Sequence, residues 1–188
     1  RMTGWQRTYP NFMTAEGIGG DETRPPHEQV LANLFNRMIA GPADHTFCYY
    51  NGYVDQTSSH ASQLAKAVCL FSPWQFLFWY DRPSSVSGEP ELKFFKHLPT
   101  TWDEIRVLHA KIGQYAVIAR RKGSDWFVGC LNAGEPRSLK IPLGFLPVGA
   151  KYDADIYRDD PRVETRTKVG IERREVDSMT VLDAELGP

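Results

Sequence analysis

Residues 104–134 read EIRVLHAKIGQYAVIARRKGSDWFVGCLNAG. Three short stretches rich in β-branched and aromatic residues each run into a glycine, at Gly113, Gly123 and Gly134. In the middle one, Tyr115, Val117 and Ala119 alternate with Ala116, Ile118 and Arg120, the two-residue period of a strand. The pattern continues downstream through RSLKIPLGFL (137–146), KYDADIYRDD (151–160), RTKVGIERREV (166–176) and MTVLDAEL (179–186). Seven short strands punctuated by turn residues predict an antiparallel β-sandwich over residues 101–188.

The preceding hundred residues have a different grammar. PPHEQVLANLFNRMIAG (25–41) predicts a helix, with prolines at its start and Val30, Leu31, Leu34, Phe35, Met38 and Ile39 at helical spacing. Gly41-Pro42 stops it. SSHASQLAKAVCLF (58–71) predicts a second, with Ser58 or Ser59 as its cap and Leu64, Ala67, Val68 and Phe71 on one stripe. WQFLFWY (74–80) reads as a strand buried on both faces, and NFMT (11–14) and ADHTFCYY (43–50) as two more. Strand, loop, helix, repeated, is the order of an α/β sheet or barrel, although three such units cannot close a barrel alone. The fold expected is therefore α/β over residues 1–100 followed by an all-β domain over 101–188. Residues 84–104 form the junction, with a short helical piece from Pro90 to His97.

Composition excludes several classes of function. A formal charge of −1 over 188 residues, with no block of like charge, gives nucleic acid no electrostatic footprint. No apolar run approaches the roughly 18 residues of a membrane span. Cys48, Cys69 and Cys130 are odd in number and lack metal-ligand spacing, so they read as buried free thiols.

The candidate chemistry lies in NFMTAEGIGGDE (11–22). A dinucleotide loop would need a third glycine where Glu22 stands, and a phosphate loop would need a lysine. Both are excluded. A flexible loop after a strand remains, presenting Glu16 and Glu22 six residues apart. Carboxylates so placed suit a hard cation or acid–base work at a glycosidic bond, and an acidic glycine turn with no chemistry would look the same. His45 and His60 lack companions at metal spacing and read as structural or surface residues. Tyr49, Tyr50 and Tyr53 suit either sugar stacking or a core. Trp79, Tyr80 and Asp81 sit where the apolar run emerges; the combination suits a pyranose, with rings for its apolar face and a carboxylate for its hydroxyls, and suits plain packing at a domain boundary equally.

Four ordered stretches, YPNFMTAEGIGGDE, PPHEQVLANLFNRMIAGPADHT, HASQLAKAVCLFSPWQFLFWYDRP and LPTTWDEIRVLHAKIGQYAVIARRKGSDWFVGCLNAG, resemble glycoside hydrolase family 97. That resemblance implies calcium-dependent α-glucosidase or α-galactosidase activity on an oligosaccharide or α-glycoside. It makes the chain the C-terminal portion of a (β/α)8 barrel followed by the family's C-terminal sandwich. Arg1 is no initiator, in keeping with a fragment whose partner is the rest of the catalytic barrel. By the resemblance Glu16 is a calcium ligand and Glu22 the general acid beside the ion. Gly17, Gly19 and Gly20 would fold the loop around the cation, and Asp21 would be a bystander. Trp79, Tyr80 and Asp81 would contact substrate. The nucleophile or base would lie on earlier barrel strands, leaving the isolated chain inactive, and the whole enzyme would be periplasmic or secreted. A different class of reading makes the chain a noncatalytic sandwich module for packing, carbohydrate binding or contact within a homo-oligomer.

Overall fold

The three hairpin strands predicted from residues 104–134 form one antiparallel sheet, in the order β1 (Glu104–Lys111), β2 (Tyr115–Lys122), β3 (Asp125–Asn132). The computed structural model describes residues 4–188; Arg1 and the next two residues of the 1–100 segment lie outside it. Gly113 and Gly123 both adopt positive φ at the hairpin turns, as the sequence pattern requires. Two further antiparallel pairs complete the strands. β4 (Arg137–Pro142) pairs with β7 (Val181–Leu186), and β5 (Tyr152–Asp159) with β6 (Val169–Val176). All seven predicted strands are present at the expected places.

Strand β2 is covered on both faces. Val117 faces Ile141, Leu143, Leu146 and Val176, joined by Leu108, Leu139 and Leu182. On its other side Ala116 and Ile118 pack with Leu31 and Cys69, which belong to the helices upstream. The first sheet is thus a middle layer, with strands on one side and helices on the other. Arg120, on the same face as Ala116 and Ile118, is buried despite its charge; it donates to the Cys69 carbonyl at 3.0 Å and stacks on Phe71 and Trp102. Its position opposite a helix end, not its charge, decides its burial.

The helices are α1 (Trp5–Thr8), α2 (His27–Phe35), α3 (Gly52–Thr57), α4 (His60–Cys69) and α5 (Lys93–His97). Helix α2 continues as a 3-10 turn, Arg37–Ala40, so the predicted helix 25–41 is realised in two pieces. Its expected apolar position Ile39 is 80% exposed. Ser59 caps α4, accepting from the Ser62 amide at 3.1 Å. At Gly129 on β3 the helix comes so close that an added Cβ would lie 2.7 Å from Cys69 Sγ and 2.8 Å from the Ala65 carbonyl.

The strands expected in the first hundred residues are the main departure. NFMT is not a strand. Residues 43–50 and 74–80 meet at a single parallel bridge, Thr46 to Phe76, flanked by Phe76 N to His45 O (3.2 Å) and Phe47 N to Phe76 O (2.8 Å). The run 74–80 is not buried on both faces: Trp74, Phe76, Leu77, Trp79 and Tyr80 are exposed. Phe78 and Tyr80 adopt φ of 58° and 64°, which turns the chain and stops a strand from forming. The described residues therefore show short helices and one parallel bridge ahead of the sandwich, and no barrel strand. None of their helices is long and apolar enough to cross a membrane.

Candidate active site

The acidic loop is held from two directions. Arg37, just beyond α2, donates to the carbonyls of Ala15 (2.8 Å), Glu16 (3.2 Å) and Gly41 (3.1 Å), clamping the loop against the helix stop. Gly17 has φ 147° and lies against the Arg37 side chain, where a Cβ would collide. On the far side, the 3-10 turn Asp21–Thr23 is tied down by Asp21 N to Thr46 O at 2.9 Å. This places the turn beside the parallel bridge.

Asp21 is the best-connected acid of the loop. Its side chain is buried and receives Lys66 Nζ at 3.0 Å on Oδ1 and the Cys48 amide at 3.2 Å on Oδ2. His45 Nε2 lies 3.4 Å from the same Oδ1. Burial alone would raise the Asp21 carboxyl, but His45 and the Lys66 ammonium outweigh it and hold the group well below the usual carboxylate range. Burial and the nearby Asp21 charge push the Cys48 thiol up to about 12, so Cys48 is no nucleophile.

Glu16 and Glu22 are both exposed. The Glu22 carboxylate folds back over Gly20, where an added Cβ would strike it and would also lie 2.6 Å from Thr46 Cβ. Here the glycine serves a close approach between protein groups. Carboxylate oxygens are the right kind of donor for calcium, which takes six to eight oxygens. Two carboxylates are too few for a complete site, and among the described residues no three His, Cys, Asp or Glu side chains gather to hold a metal. The chain fits such an ion in kind of ligand and not in number.

Trp79 and Tyr80 stand on the surface with ring centroids 5.8 Å apart, 46% and 70% exposed. Asp81 turns inward: both carboxylate oxygens lie 3.1 Å from the Tyr50 amide, and burial raises its pKa. Tyr49 and Tyr50 belong to the core, donating to the buried carboxylates of Glu91 (3.1 Å) and Glu89 (2.8 Å). His45 and His60 are buried too, the latter with Nε2 3.5 Å from Asp55. Lys66, Arg37 and the Glu89–Glu91 pair carry no local sequence signal of a role. Lys66 comes nearest to one, because it stands two residues after Leu64 on a helix whose remaining residues around it are apolar, and a lysine there needs an acid partner.

Comparison with known proteins gives this arrangement a context. Residues 101–188 match the family model described as glycosyl-hydrolase 97 C-terminal, oligomerisation. A retaining alpha-galactosidase of Bacteroides thetaiotaomicron is 36% identical over 179 residues, which cover 85% of this chain and 26% of the relative. A glycoside hydrolase family 97 enzyme of a Pseudoalteromonas species, in complex with panose, superposes with a TM-score of 0.84 at 30% identity, covering 98% of this chain and 31% of that one. A beta-arabinopyranosidase structure superposes with a TM-score of 0.75 at 27% identity, again over 98% and 31%. The chain thus spans about a quarter of the length of the curated relatives it matches.

Proposed function

Because the chain belongs to glycoside hydrolase family 97, we propose that it is the C-terminal part of an exo-acting α-glycosidase, with Glu22 as the general acid. The substrate is a terminal α-galactoside or α-glucoside, and the complete enzyme works in the periplasm or outside the cell. The observation that carries the reading is the placement of Glu22: an exposed carboxylate on a turn pinned beside the Thr46–Phe76 bridge. Similarity over nearly the whole chain to a family enzyme in complex with panose supports it.

The chemistry asked of this chain is proton movement. Glu22, protonated, gives its proton to the leaving glycosidic oxygen as the C–O bond breaks. A second carboxylate, supplied from outside these residues, either bonds the anomeric carbon to give a glycosyl ester that water then hydrolyses, or takes a proton from a water that attacks that carbon; its separation from Glu22 decides which. Glu16, together with Glu22, would donate oxygens to a calcium ion completed by further ligands. The ion's chemistry is to hold the acids together and tune their proton affinity. Trp79 and Tyr80 would take a sugar face, with Asp81 holding their loop to Tyr50. The parallel bridge and the exposed run 74–80 would find their covering strands in the rest of a (β/α)8 barrel.

A second reading applies to residues 101–188, favoured by their match to a family model described by oligomerisation. In it the sandwich carries contact between copies and no chemistry.

Glu22→Gln in the complete enzyme tests the first reading. Loss of turnover on nitrophenyl α-galactoside or α-glucoside, with the thermal melt unchanged, supports the acid; unchanged turnover removes it. The isolated chain is expected to hydrolyse neither substrate, and robust turnover would count against the missing second carboxylate.

A further inference from the structure

A buried Lys–Asp pair is a costly way to hold a loop, since desolvating two charges consumes most of what their attraction returns. Such pairs are better at specifying one geometry than at raising stability. The pair Asp21–Lys66 has both side chains almost wholly buried, at 2% and 4% exposure. The loop it holds contains Gly17, Gly19 and Gly20, the residue type with most conformational freedom to lose. Left unanchored, that loop would scatter the side chains at its C-terminal end, and Glu22 is one of them.

We propose that Asp21 is a positioning residue, its carboxylate locked to Lys66, His45 and the Cys48 amide so that the adjacent Glu22 carboxyl is aimed at one place. This rests on the reading of Glu22 as the general acid. Four contacts define the device. Asp21 N binds Thr46 O at 2.9 Å, and Asp21 Oδ2 binds Cys48 N at 3.2 Å, so backbone and side chain grip the same stretch two residues apart. Lys66 Nζ on Oδ1 fixes the remaining rotation from helix α4. Thr23 N to Gly20 O, at 2.9 Å, closes the turn around Glu22. The Glu22 Cα therefore lies within a turn anchored to the segment 46–48, while its side chain stays exposed. A strand-like segment and a helix that itself packs on the sandwich set the acid's position. Asp21 does not touch substrate; it acts through Glu22.

The test exploits a property of general acids: they matter in proportion to how poor the leaving group is. In the complete enzyme, Glu22→Gln, Asp21→Asn and the double variant Asp21→Asn/Lys66→Met are compared on α-glycosides of phenol and of 2,4-dinitrophenol. Circular dichroism melts identify the assay temperature at which each is folded. The expected result for Asp21→Asn is a fall in kcat on the phenyl glycoside of about tenfold or more, with KM little changed and the dinitrophenyl glycoside nearly unaffected. The double variant, which removes both charges and leaves no unpaired ion in the core, is expected to behave likewise. It decides the matter where the single variant does not fold. Wild-type rates on both glycosides in a folded Asp21 variant overturn the inference, provided Glu22→Gln shows the leaving-group-dependent loss. Absence of that loss in Glu22→Gln overturns the assignment of the acid itself, so the two failures are distinguishable.

Discussion

The Arg166 guanidinium, on the β5–β6 connection, donates to the Tyr50 carbonyl at 2.7 Å and lies over the Tyr50 ring at 5.6 Å. The same group reaches Asp55 at 3.1 Å. One side chain of the sandwich thereby closes the helical segment from outside. Arg166→Ala is expected to destabilise the chain by about 1–2 kcal/mol, mostly through the lost bond to the carbonyl, because the half-exposed ion pair with Asp55 is screened by solvent. Urea unfolding would show a lower midpoint. Hydrogen exchange would show faster opening of α3 than of β2.

Gly129→Ala tests how closely α4 lies on β3. The new methyl would meet the Ala65 carbonyl at 2.8 Å and Val68 Cβ at 3.0 Å, and a helix backbone cannot move aside cheaply. A loss of about 1–3 kcal/mol is expected from the overpacking. A midpoint equal to that of the wild type would mean that α4 sits further from the sheet.

The stability of the chain should depend on pH through His60. Burial lowers its pKa below 6.5 and outweighs the opposing pull of Asp55, Glu91 and Asp159, while Arg166 adds to the lowering. The folded state therefore binds fewer protons than the unfolded state as pH falls through that window, and stability declines on acidification below about 6.5. His27, partly buried and also lowered, contributes in the same direction. Melting temperatures at pH 7.5 and 5.5 should differ less in His60→Asn than in the wild type. An equal difference in both would assign the effect elsewhere.

The sandwich is readable because its strands carry their information locally. Tyr115 to Arg120 alternates, and Gly113, Gly123 and Gly134 all take the positive φ that ends a strand in a tight turn. Residues 74–80 carry an equally strong apolar signal that means something else. Whether such a run is a covered strand depends on what lies against it, and the positive φ at Phe78 and Tyr80 is not the conformation expected of bulky aromatics. Asp21 and Glu22 show the same limit at the candidate site. Both are acids in a glycine turn, and only the approach of α4, carrying Lys66, makes one buried and leaves the other exposed. That contact spans 45 residues of sequence, beyond any local pattern.

The middle position of β2 has a consequence for how the chain folds. The core on its helix-facing side joins Leu31 and Cys69 to Ala116, Ile118 and Leu131, so it straddles the boundary at residue 101 where the family model begins. A polypeptide started at that boundary would keep all seven strands and still expose the face of β2 and β3 that α4 covers. The span of the family model is therefore shorter than the packed unit that its strands belong to. A soluble sandwich would have to carry α4 with it, or carry polar replacements at Ala116, Ile118 and Leu131.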